Sequence, residues 1–195
     1  MSRGQHRGGV VRARVTRTSA LLALGALAAC GGGNPFSNPE AIDNPAGALG
    51  QRLAFAYFQR CVQPVLTSPQ PGASACAAGG CHDSATGTGG ALRLEAGAAQ
   101  QDLAQDAATL RASAMYRNFY SAQGVAVIGA PDASLLLNKP RLAGVLHGGG
   151  LIFHGDDSEA VRRLAYWIGR PMPQGQDEFS VAAASMFEAD GACKS

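Results

Sequence analysis

Residues Cys76-Ala77-Ala78-Gly79-Gly80-Cys81-His82 put two thiols and an imidazole within one short, glycine-rich stretch. Two cysteines followed at once by a histidine form the attachment pattern for c-type haem. The thiols make thioethers to the porphyrin, and the adjoining imidazole ligates the iron. The usual spacer between the cysteines is two residues, and here it is four. The extra residues must loop outward, and Ala77, Ala78, Gly79 and Gly80 are small and pliable enough to do so.

On either side of the motif the chain reads as loop and helix. Pro69, Pro71 and Gly72 lead into it, and Ser84 to Gly90 leave it as another loop of small residues. Upstream, Leu49, Leu53, Phe55, Ala56, Phe58 and Val62 recur at helical spacing and predict a helix over Leu49 to Cys61, stopped by Pro64. Downstream, a short extended piece is expected around Leu92 to Leu94. A helix is predicted over Asp102 to Ala122, with Leu103, Leu110, Met115 and Phe119 partly on one face and Gly124 ending it. Val125 to Ile128 suggest a short strand, and Asp132 to Leu137 a helical turn after Pro131, broken at Lys139-Pro140. The firmest helical signal covers Asp157 to Gly169, opened by an Asp156/Glu159 capping box and closed by Gly169 and Pro171. A last short helix is expected from Val181 to Glu188. The fold class is therefore mainly α, with long Gly/Pro-rich loops and few short strands.

The N-terminus carries Arg3, Arg7, Arg12, Arg14 and Arg17 with no acidic residue, then the apolar run Ala20 to Ala29. These are the n- and h-regions of a secretory signal, too short for a membrane-spanning helix. The closing Leu27-Ala28-Ala29-Cys30 resembles the lipobox of bacterial lipoproteins. That resemblance implies cleavage before Cys30, lipidation of its thiol and amine, and anchoring in the cell envelope. With Gly31 following, it points to the outer membrane, facing the periplasm. The expected organisation is a signal peptide over 1–29, a flexible Gly/Pro/Asn tether over 30–47, a main domain over 48–179 and a C-terminal helix or tail over 180–195.

The whole chain has 16 basic and 14 acidic residues, a net charge of +2. Without the leader it has 11 basic and 14 acidic residues, a net charge of −3. The basicity belongs to targeting, and nothing in the remainder points to nucleic acid.

Of the five cysteines, lipidation takes Cys30. If haem takes Cys76 and Cys81, Cys61 and Cys193 remain to join the two ends of the domain as a disulfide, which an oxidising compartment permits. Two disulfides among all four would balance the thiols equally well.

Further segments carry a family resemblance. They are Phe58-x-x-Cys61-Val62-x-Pro64-Val65-Leu66, then Cys76…Cys81-His82, then Ala130-Pro131-Asp132-x-Ser134-Leu135-Leu136-x-x-Lys139-Pro140. His147-Gly148-Gly149-Gly150 and Leu164-x-x-Trp167-Ile168 complete the order. Together they resemble the cytochrome c-like domains of exported bacterial proteins over roughly Leu49 to Pro173. The widened spacer is similar to the C-x4-C-H sites of some multihaem cytochromes. The resemblance implies a small helical domain holding one haem c, with Cys76 and Cys81 as attachment points and His82 as axial ligand. It also implies that the last helix packs across the first, a junction suited to Tyr166 and Trp167. For the other axial ligand it points to His147, with Met172 as the alternative and His154 behind both.

His-Gly-Gly-Gly also occurs in lipase oxyanion loops, but the Gly-x-Ser-x-Gly elbow that such enzymes need is absent from the sequence. No phosphate-binding glycine loop is present either. Cys76, Cys81, His82 and His147 have ligand types acceptable to zinc, but such thiolates would compete with disulfide formation in an oxidising compartment. Two functions stay open. One is a membrane-tethered periplasmic haem c protein that passes electrons to a redox protein partner, a carrier more than a catalyst. The other is a haem-free, disulfide-stabilised lipoprotein acting as a structural or binding module.

Overall fold

Phe58 and Trp167 hold the centre of the domain in this computed structural model, which describes residues 50–155 and 158–195. Their ring centroids are 5.3 Å apart, and the Trp167 indole N–H donates to Ala54 O at 3.0 Å. Phe119 meets Phe58 at 5.6 Å and stands edge-on to Phe55 at 5.5 Å, so helices from three parts of the chain converge on one aromatic cluster. Such tilted and edge-to-face pairs add to the stabilisation from burial alone. The leader, Cys30, the tether and the Asp156 half of the expected capping box lie outside the described residues.

The described residues are mainly helical. They contain no β-sheet, only isolated bridges, among them a parallel one between Asp83 and Leu94. The first helical run consists of α1 (Phe55–Tyr57), a π-helical turn (Phe58–Val62) and α2 (Gln63–Thr67). The sequence predicted a stop at Pro64. Instead the chain widens to a π turn just before the proline and stays helical to Thr67. A proline ring has no N–H and crowds the carbonyl four residues back, and a wider turn relieves both problems.

The helix expected over Asp102 to Ala122 is two helices, α3 (Ala107–Ala112) and α4 (Ala114–Gln123). Asp106 caps α3 by accepting from Thr109 N, and Ser113 caps α4 by accepting from Tyr116 N. Ser113 takes extended backbone angles, so a residue read as mid-helix breaks the run. Leu103 stays in the preceding loop and is exposed. Val125 to Ile128 are buried as turns, not as a strand. Ser134, fully buried, receives Val127 N at 2.8 Å and donates to Ala130 O at 2.9 Å, which ties this turn to the next helical segment. That segment is a 3₁₀ turn (Pro131–Ala133) followed by α5 (Leu135–Asn138).

Helix α6 (Glu159–Gly169) is capped by Ser158, whose side chain accepts from Val161 N. It packs across the first helical run: Trp167 lies on Phe58, and Tyr166 lies 5.5 Å from Tyr57. The final helix is a 3₁₀ turn, Val181–Met186. The chain end returns to the start of the domain through the Cys61–Cys193 disulfide, with Cα atoms 5.9 Å apart, and through a hydrogen bond from the Tyr57 hydroxyl to Lys194 O. No described helix is long and apolar enough to cross a membrane.

Candidate cofactor site

The motif loop is fixed by its own backbone. His82 N–H donates to Cys76 O, and Cys81 N–H to Ala78 O, both at 3.0 Å. The four-residue spacer thus curls into a turn that brings the backbone of His82 back to that of Cys76. Gly80 takes a φ of +81°, which glycine adopts without strain. Cys76 and Cys81 are free thiols and both half-buried. Burial, reinforced by the neighbouring Cys81, pushes the Cys76 thiol up to about 11 against the opposing effect of a backbone hydrogen bond.

His82 is held from several sides. Its Nδ1 lies 3.1 Å from Leu92 O, so Nδ1 carries the proton and Nε2 is left as the lone-pair nitrogen. Leu94 N–H donates to His82 O at 2.8 Å, and Gly89 N–H to Cys81 O at 2.7 Å. A Cβ on Gly89 would stand 2.6 Å from His82 Nδ1, so only glycine lets this loop close on the ring. Residues 93–95 are in turn clamped to α4. Arg93 N–H donates to Ser121 Oγ at 2.6 Å, and Asn118 bridges both the N–H and the carbonyl of Glu95. Burial holds the His82 ring below its ordinary pKa; the positive charges of His147, Lys139 and Arg93 add to this, while the Leu92 carbonyl opposes it. The imidazole is therefore neutral at physiological pH, the state a metal ligand requires.

His147 approaches from a different part of the chain. It sits on the glycine loop after α5, whose far end is tied back by Ile152 N–H donating to Pro140 O at 2.8 Å. Its Nδ1 lies 2.8 Å from Gly150 O, which again leaves Nε2 as the lone-pair nitrogen. The planes of His82 and His147 are parallel to within 8°, with ring centroids 6.2 Å apart. A metal ion bonded to one nitrogen of each ring at about 2 Å, each nitrogen about 1 Å from its own centroid, would set the centroids about 6 Å apart. The backbone carbonyls on Nδ1 are the outer-shell partners that fix the tautomer of a ligating histidine.

Two adjoining cavities, of about 220 and 640 Å³, share Cys76, His82, Gly89, Gly90, Lys139 and His147 in their walls. The smaller has an apolar wall of Leu66, Leu92, Val125, Leu135, Leu136 and Phe153. Cys81 lines the larger. An apolar wall with few convergent polar groups is the general form of a small-molecule site, and the larger cavity falls within the usual range of sizes.

Four candidate residues, Cys76, Cys81, His82 and His147, therefore meet at one place. Met172 does not join them. It is buried in the core, its N–H donates to Arg52 O at 2.7 Å, and it lines neither cavity. His154 is exposed, and Met115 is core. Among the described residues no group of three or more His, Cys, Asp and Glu side chains is placed to hold a bare metal ion, so the zinc set does not assemble. The residues that sequence reasoning missed are Leu92 and Gly89, which orient the His82 ring through a backbone carbonyl and by lacking a side chain. Backbone roles of this kind leave little trace in residue type. Comparison with known proteins finds no matching family model, no matching curated protein and no matching solved structure.

Proposed function

We propose that this chain is a monohaem c-type electron carrier, tethered through lipidated Cys30 to a bacterial membrane at its periplasmic face. The observation that carries the reading is the His82–His147 pair: parallel rings with centroids 6.2 Å apart in the wall of one cavity, both with Nδ1 tied to a carbonyl. Two free thiols stand beside them, one of them adjacent to His82 in sequence. Both imidazoles and both thiols line two adjoining cavities, the setting that attachment through thioethers and ligation by histidine would require.

In this reading Cys76 and Cys81 would hold the haem by thioethers, and His82 and His147 would ligate its iron. The haem supplies one-electron chemistry when bound. The protein's contribution is to fix both imidazoles in the Nδ1–H tautomer and to shield one side with Leu66, Leu92, Val125, Leu135, Leu136 and Phe153. Two histidines set a lower potential than a histidine–methionine pair would.

A spectroscopic redox titration of the exported protein tests this function. The expected result is one reversible one-electron transition in the haem bands, unchanged over repeated cycles. A protein with no redox-active absorbance, or one whose bands bleach on the first cycle, would rule out a carrier.

A further inference from the structure

The two histidines of the site are not held alike. His82 is gripped by Leu92 O and covered by Gly89 so closely that a Cβ there would clash. Its segment is bonded to residues 92–95, and these are bonded to α4. The seat of His147 is made within its own loop: Nδ1 on Gly150 O, and Gly150 N–H returning to His147 O at 2.9 Å.

That loop is otherwise poorly packed. Leu146, next to the ligand, is 92 % exposed, and Leu142 and Leu151 on either side are each 42 % exposed. Leu142 has a φ of +53°, a left-handed conformation that costs a branched side chain free energy. Gly144, Gly148 and Gly150 have open space where a Cβ would go. Few buried apolar contacts and an exposed backbone mark the segments that open locally at little cost.

Resting on the haem reading above, we infer that His147 is an exchangeable ligand and that its side of the iron is a binding site for a small neutral ligand such as a diatomic gas. One bond breaks, from His147 Nε2 to iron, and one forms, from the incoming ligand to iron. No electron or proton moves. His82 stays bound throughout, because its loop cannot open without releasing residues 92–95 from α4. Leu146, beside the ligand, gains almost nothing from the closed position, so moving it exposes little apolar surface that was covered before. Free rotation about Gly148 and Gly149 lets the imidazole swing aside while Ile152 and Phe153 remain hydrogen-bonded to Pro140.

The test is carbon monoxide binding to the haem-matured full chain, reduced with dithionite and followed by stopped flow. The wild-type protein should bind it completely, at a rate that levels off as its concentration rises, because departure of His147 becomes limiting. His147→Ala should bind at a rate that stays linear in carbon monoxide and is at least tenfold faster at the highest concentration. Gly149→Ala, whose Cβ would stand 3.0 Å from His147 Cε1, should raise the plateau rate several-fold while keeping the low-spin spectrum. Two results overturn the inference while leaving the haem reading intact: a wild-type protein unreactive over hours, or one already linear and as fast as His147→Ala. A chain that acquires no haem in a competent host overturns both.

Discussion

His82 and His147 lie parallel to within 8° across one cavity, and each presents Nδ1 to a backbone carbonyl, Leu92 O and Gly150 O respectively. The relationship is chemically specific, because a carbonyl can only accept. Both rings must then carry their proton on Nδ1 and leave Nε2 for a metal. The two acceptors differ in kind: Leu92 lies ten residues from His82, whereas Gly150 lies three residues from His147 in the same loop.

Replacing His82 by alanine should abolish the low-spin spectrum of the ferric protein, and an unchanged spectrum would remove His82 from the ligand set. Gly89→Ala tests the same seat without touching the ligand. Its Cβ would lie 2.6 Å from Nδ1 and 2.7 Å from Cys81 O, so the ring must shift. Reduced haem incorporation or a mixed-spin spectrum is expected, measured on protein exported alongside the wild type.

Met172→Ala separates core from ligand. Met172 is buried, and its loss should lower the unfolding free energy by about 2–5 kcal/mol, as for other large-to-small core changes. The absorption spectrum should not change. A high-spin shift in this variant, with His147→Ala remaining low-spin, would exchange the roles of the two residues.

The Cys61–Cys193 bridge spans a sequence separation of 132 residues. Chain-entropy arguments assign about 5 kcal/mol to a loop of that length. Chemical denaturation of Cys61→Ala/Cys193→Ala should show a loss on the order of 3–5 kcal/mol. The haem spectrum should be preserved under native conditions, because neither residue lines the cavity. A loss of haem incorporation with little change in stability would mean that these cysteines act at the site.

Two pH effects are expected in the haem-free chain. Burial raises the Cys76 thiol to about 11, and iodoacetamide reacts with thiolates, so labelling of Cys76 at pH 7 should be roughly 100-fold slower than for an ordinary exposed thiol. Its rate should climb with pH until about 11, as read by peptide mass spectrometry. His82 shifts the other way: its folded pKa lies below the ordinary value, so the unfolded chain binds the extra proton. Its contribution to stability is fully present above about pH 6.5 and is lost as pH falls from there towards the folded pKa. Denaturation midpoints should show this slope in wild type and a shallower one in His82→Asn.

Much of the site was legible because its residue types are chemically rare. Cys76, Cys81, His82 and His147 stand out in a chain rich in alanine and glycine, and the structure places them in the walls of two adjoining cavities. The pairing of Cys61 with Cys193 was one of two ways to balance the thiols, and geometry selects it. Helix boundaries were harder. Ser113 looks like an ordinary helical residue until its side chain takes Tyr116 N and starts a new helix. Pro64 reads as a terminator, yet a π turn absorbs it, because burial of Phe58, Cys61 and Val62 favours continuing the run. The cap of α6 falls on Ser158, two positions after Asp156, the residue that the sequence pattern favoured. In each case a hydrogen bond or a buried side chain outweighed local propensity.

The most direct test of the central claim is a reduced pyridine-haemochrome spectrum together with intact mass, on protein exported by a host expressing haem-maturation enzymes. A c-type band, a mass increased by one haem, and a haem peptide containing both Cys76 and Cys81 are the predicted results. A colourless product whose mass shows two disulfides, from a host that matures a control cytochrome, would contradict the account. It would leave a disulfide-stabilised lipoprotein with no redox cofactor.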